Sequence, residues 1–301
     1  MRIRGLRIGG AHAEGLRGRG PGSVRWDQRR LSEVTFLAFD TETTGLFPIM
    51  HRLVEVAAVC FRLDGRELTT FQTLINPEAP ISQDVQRVHG ITDHMVRGQP
   101  TIEHILPHFI DFLGAHDAIL LAHNAPFDLG FLAMALTRLG MACPLQCVFD
   151  TLDMTRRLYP AWSSHSLDNL ARRLKVASGA AHRALSDARL VKDVFLAILQ
   201  HAPTVRTIAD LEHLSPPLAF ADAPVCAIEP PPGFETLTTA ITERCAVTIV
   251  YDRGAQRPGP RKITPRLVLE VNGVAYVVAH CHQDGCEKTY RLDRIRECWI
   301  E

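Results

Sequence analysis

Residues 34–39, Val-Thr-Phe-Leu-Ala-Phe, form an apolar run that ends in Asp40 and Glu42. Such a run reads as a buried strand. Burying a carboxylate is costly unless something pairs with it. Here two carboxylates sit one residue apart, and strand geometry points both to the same side of the sheet. No Lys or Arg lies between Arg30 and Arg52, so nothing nearby in the sequence neutralises them. The fold must therefore bring cations from elsewhere to the end of this strand.

The segments that follow indicate what kind of sheet the strand joins. "LVEVAAVCFRLDG" and "ELTTFQTLINP" read as two further strands, with Asp64-Gly65 marking the hairpin between them. Helical segments follow around 82–88 and 101–113, then a short buried strand, "AILLAHN". "APFDLGFLAMALTRLG" reads as a helix opened by Pro126 and closed by Gly140. After "CVFD", helices are expected near 151–158 and 166–174, and a long one over about 183–200. Three strands followed by alternating helices and strands predict an α/β fold, a mixed sheet with flanking helices.

Residues 203–233 break the pattern, and their prolines, above all "EPPPG", mark a semi-rigid linker. Beyond it come a short helix, "FETLTTAITER", and several strands, with Asn272-Gly273 as a hairpin turn. The expected division is an Arg- and Gly-rich disordered tail over 1–32, a catalytic domain over 33–202, the linker over 203–233 and a small β-rich domain over 234–301. A mitochondrial transit peptide is the competing reading of the tail, whose lack of an apolar core excludes a secretory signal.

Lys and Arg number 33, as do Asp and Glu, so no global field draws the chain to a polyanion or a membrane. Any polyanion must be held by a local patch or by metal ions. No stretch approaches a membrane span. The eight cysteines are scattered without a disulfide framework, and reduced thiols in the cytoplasm are the expectation. Cys281, His282 and Cys286 lack the further ligands of a zinc site.

Two more stretches extend the acidic pair. "AHNAPFD" ends in Asp128 at the start of a helix, with Asn124 placed to cap it, and "AHRALSDA" holds His182 and Asp187. Four carboxylates and a histidine at element ends suit metal-assisted phosphodiester cleavage. Mg²⁺ prefers oxygen ligands and takes a few carboxylates plus substrate phosphates. Two metals can activate the attacking water and stabilise the leaving oxygen. An imidazole ordinarily titrates near neutrality, which suits His182 to taking a proton from that water. His182 and Asp187 are five residues apart and cannot share a helix face, so His182 is expected on the loop or first turn.

"FDTETTGL", "HNAPFD" and "HRALSDA", supported by "LVEVAAV" and "VHGIT", resemble the motifs of the DEDDh exonucleases over about residues 33–200. That family includes the proofreading subunit of bacterial DNA polymerase III and ribonuclease T. The resemblance implies a ribonuclease H-like fold and stepwise release of 5′-mononucleotides from 3′ ends with two divalent ions, Mg²⁺ or Mn²⁺. It implies that Asp40 bridges both metals and that Glu42 and Asp187 hold the one on the nucleophile side. Asp128 serves the other, and His182 is the general base. Thr43, His89 and Asn124 become candidate contacts to the terminal nucleotide, although His89 equally suits a helix cap. Phe127 and Phe131 are expected in the core.

The C-terminal stretches "ITPRLVLEVNGVAYVVAHC" and "KTYRLDRI" resemble a WYL domain, a small β-barrel module. Only the tyrosine of the namesake tripeptide survives, in Ala275-Tyr276-Val277. The resemblance makes Arg266, Arg291 and Arg294 candidates for nucleic-acid or ligand contacts; the competing reading pairs them with the domain's own acids. The leading expectation is a 3′–5′ exonuclease acting on single-stranded or 3′-ended DNA, in association with a polymerase or a replication or repair complex. The alternatives are RNA trimming and, from another class, a regulatory protein that binds ligand or nucleic acid through the WYL-like domain.

Overall fold

The computed structural model describes residues 28–143, 145, 147–176, 182–220, 225–252 and 259–300. The N-terminal sheet contains β1 (Phe36–Thr43), β2 (Leu53–Phe61), β3 (Glu67–Leu74), β4 (Ile119–Ala122), β5 (Cys147–Asp150) and β6 (Leu218–Ala219). The helices around it are α1 (Gln83–His89), α2 (Asp93–Val96), α3 (Ile102–Gly114), α4 (Ala125–Leu139), α5 (Thr151–Leu158), α6 (Leu167–Leu174), α7 (Ala184–His201) and α8 (Ile208–Leu214). The strand order is β3-β2-β1-β4-β5-β6. β1 runs antiparallel to β2 and parallel to β4, so the sheet is mixed, as the segment pattern predicts.

The two-residue period of β1 divides the core. Leu37 and Phe39 pack with Phe109 of α3 and with Leu129 and Leu132 of α4. Phe36 and Ala38 pack with Val191 and Phe195 of α7 and Leu170 of α6. Asp40 and Glu42 continue the second row, toward the N-terminal end of α7, while Thr41 and Thr43 continue the first, toward α4.

The expected tail falls largely outside the described residues, but its last part is docked. Leu31 is buried beneath α7 and α8, and its N–H donates to the Arg206 carbonyl. The proline-rich stretch 203–233 is likewise more structured than its composition predicts. It contains α8, started by a capping box of Thr207 and Asp210, then β6 on the edge of the first sheet and β7 (Val225–Ile228) on the second.

The C-terminal sheet combines β7 with β8 (Val247–Tyr251), β9 (Gly259–Val271), β10 (Val274–Cys281), β11 (Cys286–Arg291) and β12 (Ile295–Ile300), covered by α9 (Glu235–Glu243). Asn272 and Gly273 have φ of 50° and 76°, the left-handed pair a tight hairpin turn requires. The expected barrel does not close. β11 and β12 are the two ends of the order β11-β10-β9-β8-β12, and the chain passes between them through a short turn whose Leu292 enters the core.

The two sheets meet along α4. Met134 packs against Leu269 and Val278, joined by Ile49 from the loop after β1 and by Leu267, Val271 and Tyr276. Thr289 Oγ1 donates to the Ile49 carbonyl at 2.9 Å, which ties β11 to that loop.

Candidate active site

One carboxylate oxygen from each of Asp40, Glu42 and Asp187 lies within 4.8 Å of the others. The β1 row supplies the first two, and the first turn of α7 supplies the third. Asp128 comes from the opposite side, on the first turn of α4, where it is buried and accepts a 2.7 Å hydrogen bond from Thr41 Oγ1. It therefore stands apart from the three-oxygen cluster, although it is close enough to Asp40 to raise its pKa.

The electrostatics are those of an anionic hole. Burial, then the charges of Asp128, Glu42 and Asp187, holds the Asp40 carboxyl well above the usual range. Burial, then Asp187 and Glu55, pushes Glu42 up to about 8. Burial pushes Asp128 to about 7 and Asp187 to about 6. Among the described residues no Lys or Arg forms an ion pair with any of the four; the neighbouring Arg183 is committed to Glu55. All-oxygen donors at this spacing, destabilised by their own repulsion, fit a hard divalent cation.

Around the cluster, the neighbouring groups are engaged within the protein. Glu55 faces Glu42 across β1 and β2 and is fully buried. It accepts from Arg183 Nη2 at 2.7 Å, Arg183 Nε at 3.0 Å, Gln72 Nε2 at 2.9 Å and Ala184 N–H at 3.1 Å. His182 is exposed two residues before α7 with φ of 66°, and its backbone N–H donates to the Asp187 carboxylate. That left-handed conformation costs a non-glycine residue roughly 1–2 kcal/mol.

His89 is buried, and its two ring nitrogens meet the Ile91 N–H at 2.9 Å and the Thr43 carbonyl at 3.3 Å. Thr43 is also buried, with Oγ1 donating to the Gly45 carbonyl at 2.6 Å. Asn124 is exposed at the start of α4 with φ of 61°, and its side chain makes no cap bond. Its N–H donates to Asp150 Oδ1 at 2.9 Å, and Leu152 N–H donates to the same oxygen.

Asp150, Glu55 and Arg183 thus support the motif residues, and the sequence reading did not single them out. The Asp150 signal was local, an acid at a strand-to-helix boundary. Glu55 and Arg183 are 128 residues apart and carried no local signal.

The structure does not assemble the three arginines of the second domain. Arg291 pairs with Asp293 at 2.6 Å, Arg294 is exposed on the turn after β11, and Arg266 faces the catalytic domain, paired with Glu287. Phe127 and Phe131 contact each other in the core, and Phe131 is buried.

A mixed sheet of ribonuclease H-like order with acids from β1, α4 and α7 at one end defines a class of phosphodiester hydrolases. The chain belongs to the DEDDh 3′–5′ exonucleases: the family model described as "Exonuclease" matches residues 37–195, and a WYL domain model matches residues 232–299. The PolC-type DNA polymerase III of Halalkalibacterium halodurans is 37% identical over 171 residues, 54% of this chain. That of Caldanaerobacter subterraneus is 38% identical over 168 residues, 56% of this chain. The matched region spans only 12% of either relative's length.

Among solved structures, exonuclease I shares the fold with a TM-score of 0.53 at 16% identity, covering 82% of this chain and 55% of that one. The nuclease domain of 3′hExo, a DEDDh family member bound to rAMP, matches with a TM-score of 0.50 at 19% identity, covering 58% of this chain and 94% of that one. No helix among the described residues is long and apolar enough to cross a membrane.

Proposed function

We infer that the chain is a metal-dependent exonuclease that removes 5′-mononucleotides from 3′ ends, with DNA as the favoured substrate. The observation that carries this reading is the cluster of Asp40, Glu42 and Asp187, oxygen ligands without a cationic side chain, in a chain of exonuclease descent. The similarity to PolC-type DNA polymerases supports DNA over RNA and a proofreading or repair setting.

Asp40, Glu42 and Asp187 would hold a divalent ion, and Asp128, close to Asp40, would serve a second. Bound ions supply charge neutralisation for the substrate phosphate and activation of the attacking water. The protein's own residues do the rest. His182, exposed ahead of α7, takes the proton from the water, and its backbone N–H orients Asp187. Thr41 holds one oxygen of Asp128 in place. His89 braces the Thr43 carbonyl, which shapes the backbone facing the terminal nucleotide. Asn124, turned outward by its left-handed backbone, is placed to touch the substrate.

The test is degradation of 3′- and 5′-labelled single-stranded DNA and RNA with Mg²⁺, Mn²⁺ or chelator. We expect laddering from the 3′ end with metal, none with chelator, and faster turnover of DNA. Absence of cleavage with every metal overturns the reading. His182→Ala should lower the rate about 10²- to 10⁴-fold while leaving the 3′-to-5′ direction intact. A variant with the wild-type rate and pH profile removes His182 as the base.

A further inference from the structure

A cavity of about 280 Å³ lies at the seam between the catalytic domain and the WYL domain, away from the acidic cluster. Its volume is near the lower end of what small-molecule sites enclose, roughly 300–1,000 Å³. Its half-buried apolar lining comes from Ile102, Leu139 and Leu267. Arg52, from the loop after β1, and Arg138, from α4, form the polar wall, and both side chains are largely buried, with relative exposures of 17% and 13%. From the other domain, Glu287 of β11 stands between them, and the more exposed Arg266 of β9 reaches the same carboxylate.

Among the buried groups of this cavity the charges do not balance: Arg52 and Arg138 face the one carboxylate of Glu287. Glu287 Oε1 accepts from Arg52 Nη2 at 2.8 Å, and Glu287 Oε2 accepts from Arg266 Nη1 at 3.0 Å. Arg138 has only the remainder. Its Nη2 donates to the Ile49 carbonyl at 3.1 Å, but its Nε is buried without a hydrogen bond, 3.5 Å from Glu287 Oε1. Glu78 and Glu103 also line the cavity, but both are solvent-exposed. Burial, together with the charge of Arg52, pushes the Arg138 guanidinium down to about 9. Three guanidinium groups sharing one carboxylate, with one buried donor unused, are short of an anion. Arginine forks match phosphate oxygens in geometry as well as charge.

We propose that this cavity is a binding site for a small phosphomonoester, its phosphate held by Arg52, Arg138 and Arg266 and its body laid against Leu139 and Leu267. The ligand's phosphate completes the hydrogen bonding of Arg138 and competes with Glu287 for Arg52. Glu287 is accordingly the internal stand-in that keeps the arginines apart when no ligand is bound. The site joins both domains to the loop after β1, because Arg138 and Thr289 both bond the Ile49 carbonyl.

The experiment is isothermal titration of the full chain, in chelator so that the acidic cluster repels anions, with inorganic phosphate, dAMP and citrate as separate probes. We expect phosphate and dAMP to bind, dAMP more tightly, and citrate to bind weakly or not at all. Arg138→Gln should weaken dAMP binding about tenfold or more, the scale of a lost charge-assisted hydrogen bond. Glu287→Gln removes the competing carboxylate and should tighten binding several-fold, a gain that misfolding cannot imitate. Binding of citrate alone, no binding of either phosphate probe at tens of millimolar, or affinities unchanged in both variants would overturn the proposal.

Discussion

Glu42 and Glu55 face each other across β1 and β2, yet the fold treats them in opposite ways. Glu55 is sealed from solvent and accepts four hydrogen bonds, two from one guanidinium, so its pKa falls below the ordinary value despite burial. Glu42 has no such partners, and burial with neighbouring acids drives it up to about 8. The difference lies in what each carboxylate is for. A structural acid is satisfied by the protein, whereas Asp40, Glu42 and Asp187 have no ion pair with a Lys or Arg among the described residues, as the proposed metal-binding role requires. Half-buried carboxylates with raised pKa values concentrate at functional sites.

The sharpest way to break the comparison is Asp40→Asn. If Asp40 is held for a cation, the variant should lose at least about 10³-fold in nuclease rate, the scale on which an essential charge acts at a reacting centre. In chelator it should melt at a higher temperature than wild type, because a repelling buried carboxylate is gone. A melting temperature that falls, with activity retained, would give Asp40 the structural role that Glu55 has. Adding Mn²⁺ should raise the wild-type melting temperature and leave the variant's nearly unchanged.

Glu55→Gln tests the other side. It leaves Arg183 without its bidentate partner. Removing one member of a buried pair costs about 3–5 kcal/mol, and partial exposure of Arg183, whose side chain is 37% accessible, reduces this to about 2 kcal/mol. The folded pKa of Glu55 is depressed, so its contribution is present above the ordinary carboxylate range and is lost as pH falls through the folded value. Urea unfolding of wild type and variant should therefore differ most above about pH 5 and converge in acid. A difference that is constant with pH would mean that packing, not charge, is what Glu55 contributes.

This division also separates what the sequence disclosed from what it did not. The motif acids, the helices near 82–88, 101–113, 151–158, 166–174 and 183–200 and strands β1 to β4 of the first sheet were visible because each rests on local periodicity, a cap or a turn. Asp40 and Glu42 stood out because their neighbourhood in the chain offered no partner. Glu55 did not stand out, because its partner Arg183 arrives from 128 residues away. α8, β6 and β7 were hidden by prolines that read as a linker; β6 and β7 are ordered by pairing with β5 and β9, and α8 by its capping box and the burial of Ile208 and Leu211. The open C-terminal sheet was equally illegible: strand pattern does not say whether β11 and β12, the two ends of the order, pair with each other. The arginine-lined seam required both domains.

His123 extends the comparison to a base, with a smaller expected effect. It is largely buried at the end of β4, with Nδ1 3.0 Å from Thr151 Oγ1 and Nε2 3.0 Å from the His165 carbonyl. A carbonyl can only accept, so Nε2 carries the proton; in the neutral ring Nδ1 is an acceptor for the Thr151 hydroxyl, whose single proton is shared between that nitrogen at 3.0 Å and the Ala122 carbonyl at 3.2 Å. Burial pushes the imidazole down to about 4, from an ordinary value of 6.5. Between those values the unfolded chain binds a proton that the folded chain refuses. Stability from this group is therefore complete above about pH 6.5 and is lost as pH falls toward 4. His123→Gln preserves a donor and an acceptor without titrating, so its stability should fall less steeply through that window, by about 1 kcal/mol in total after allowance for solvent screening. Parallel curves for wild type and variant between pH 4 and 6.5 would show that the ring is charged and paired in the folded chain. His123 would then leave the set of buried groups that the protein satisfies without charge.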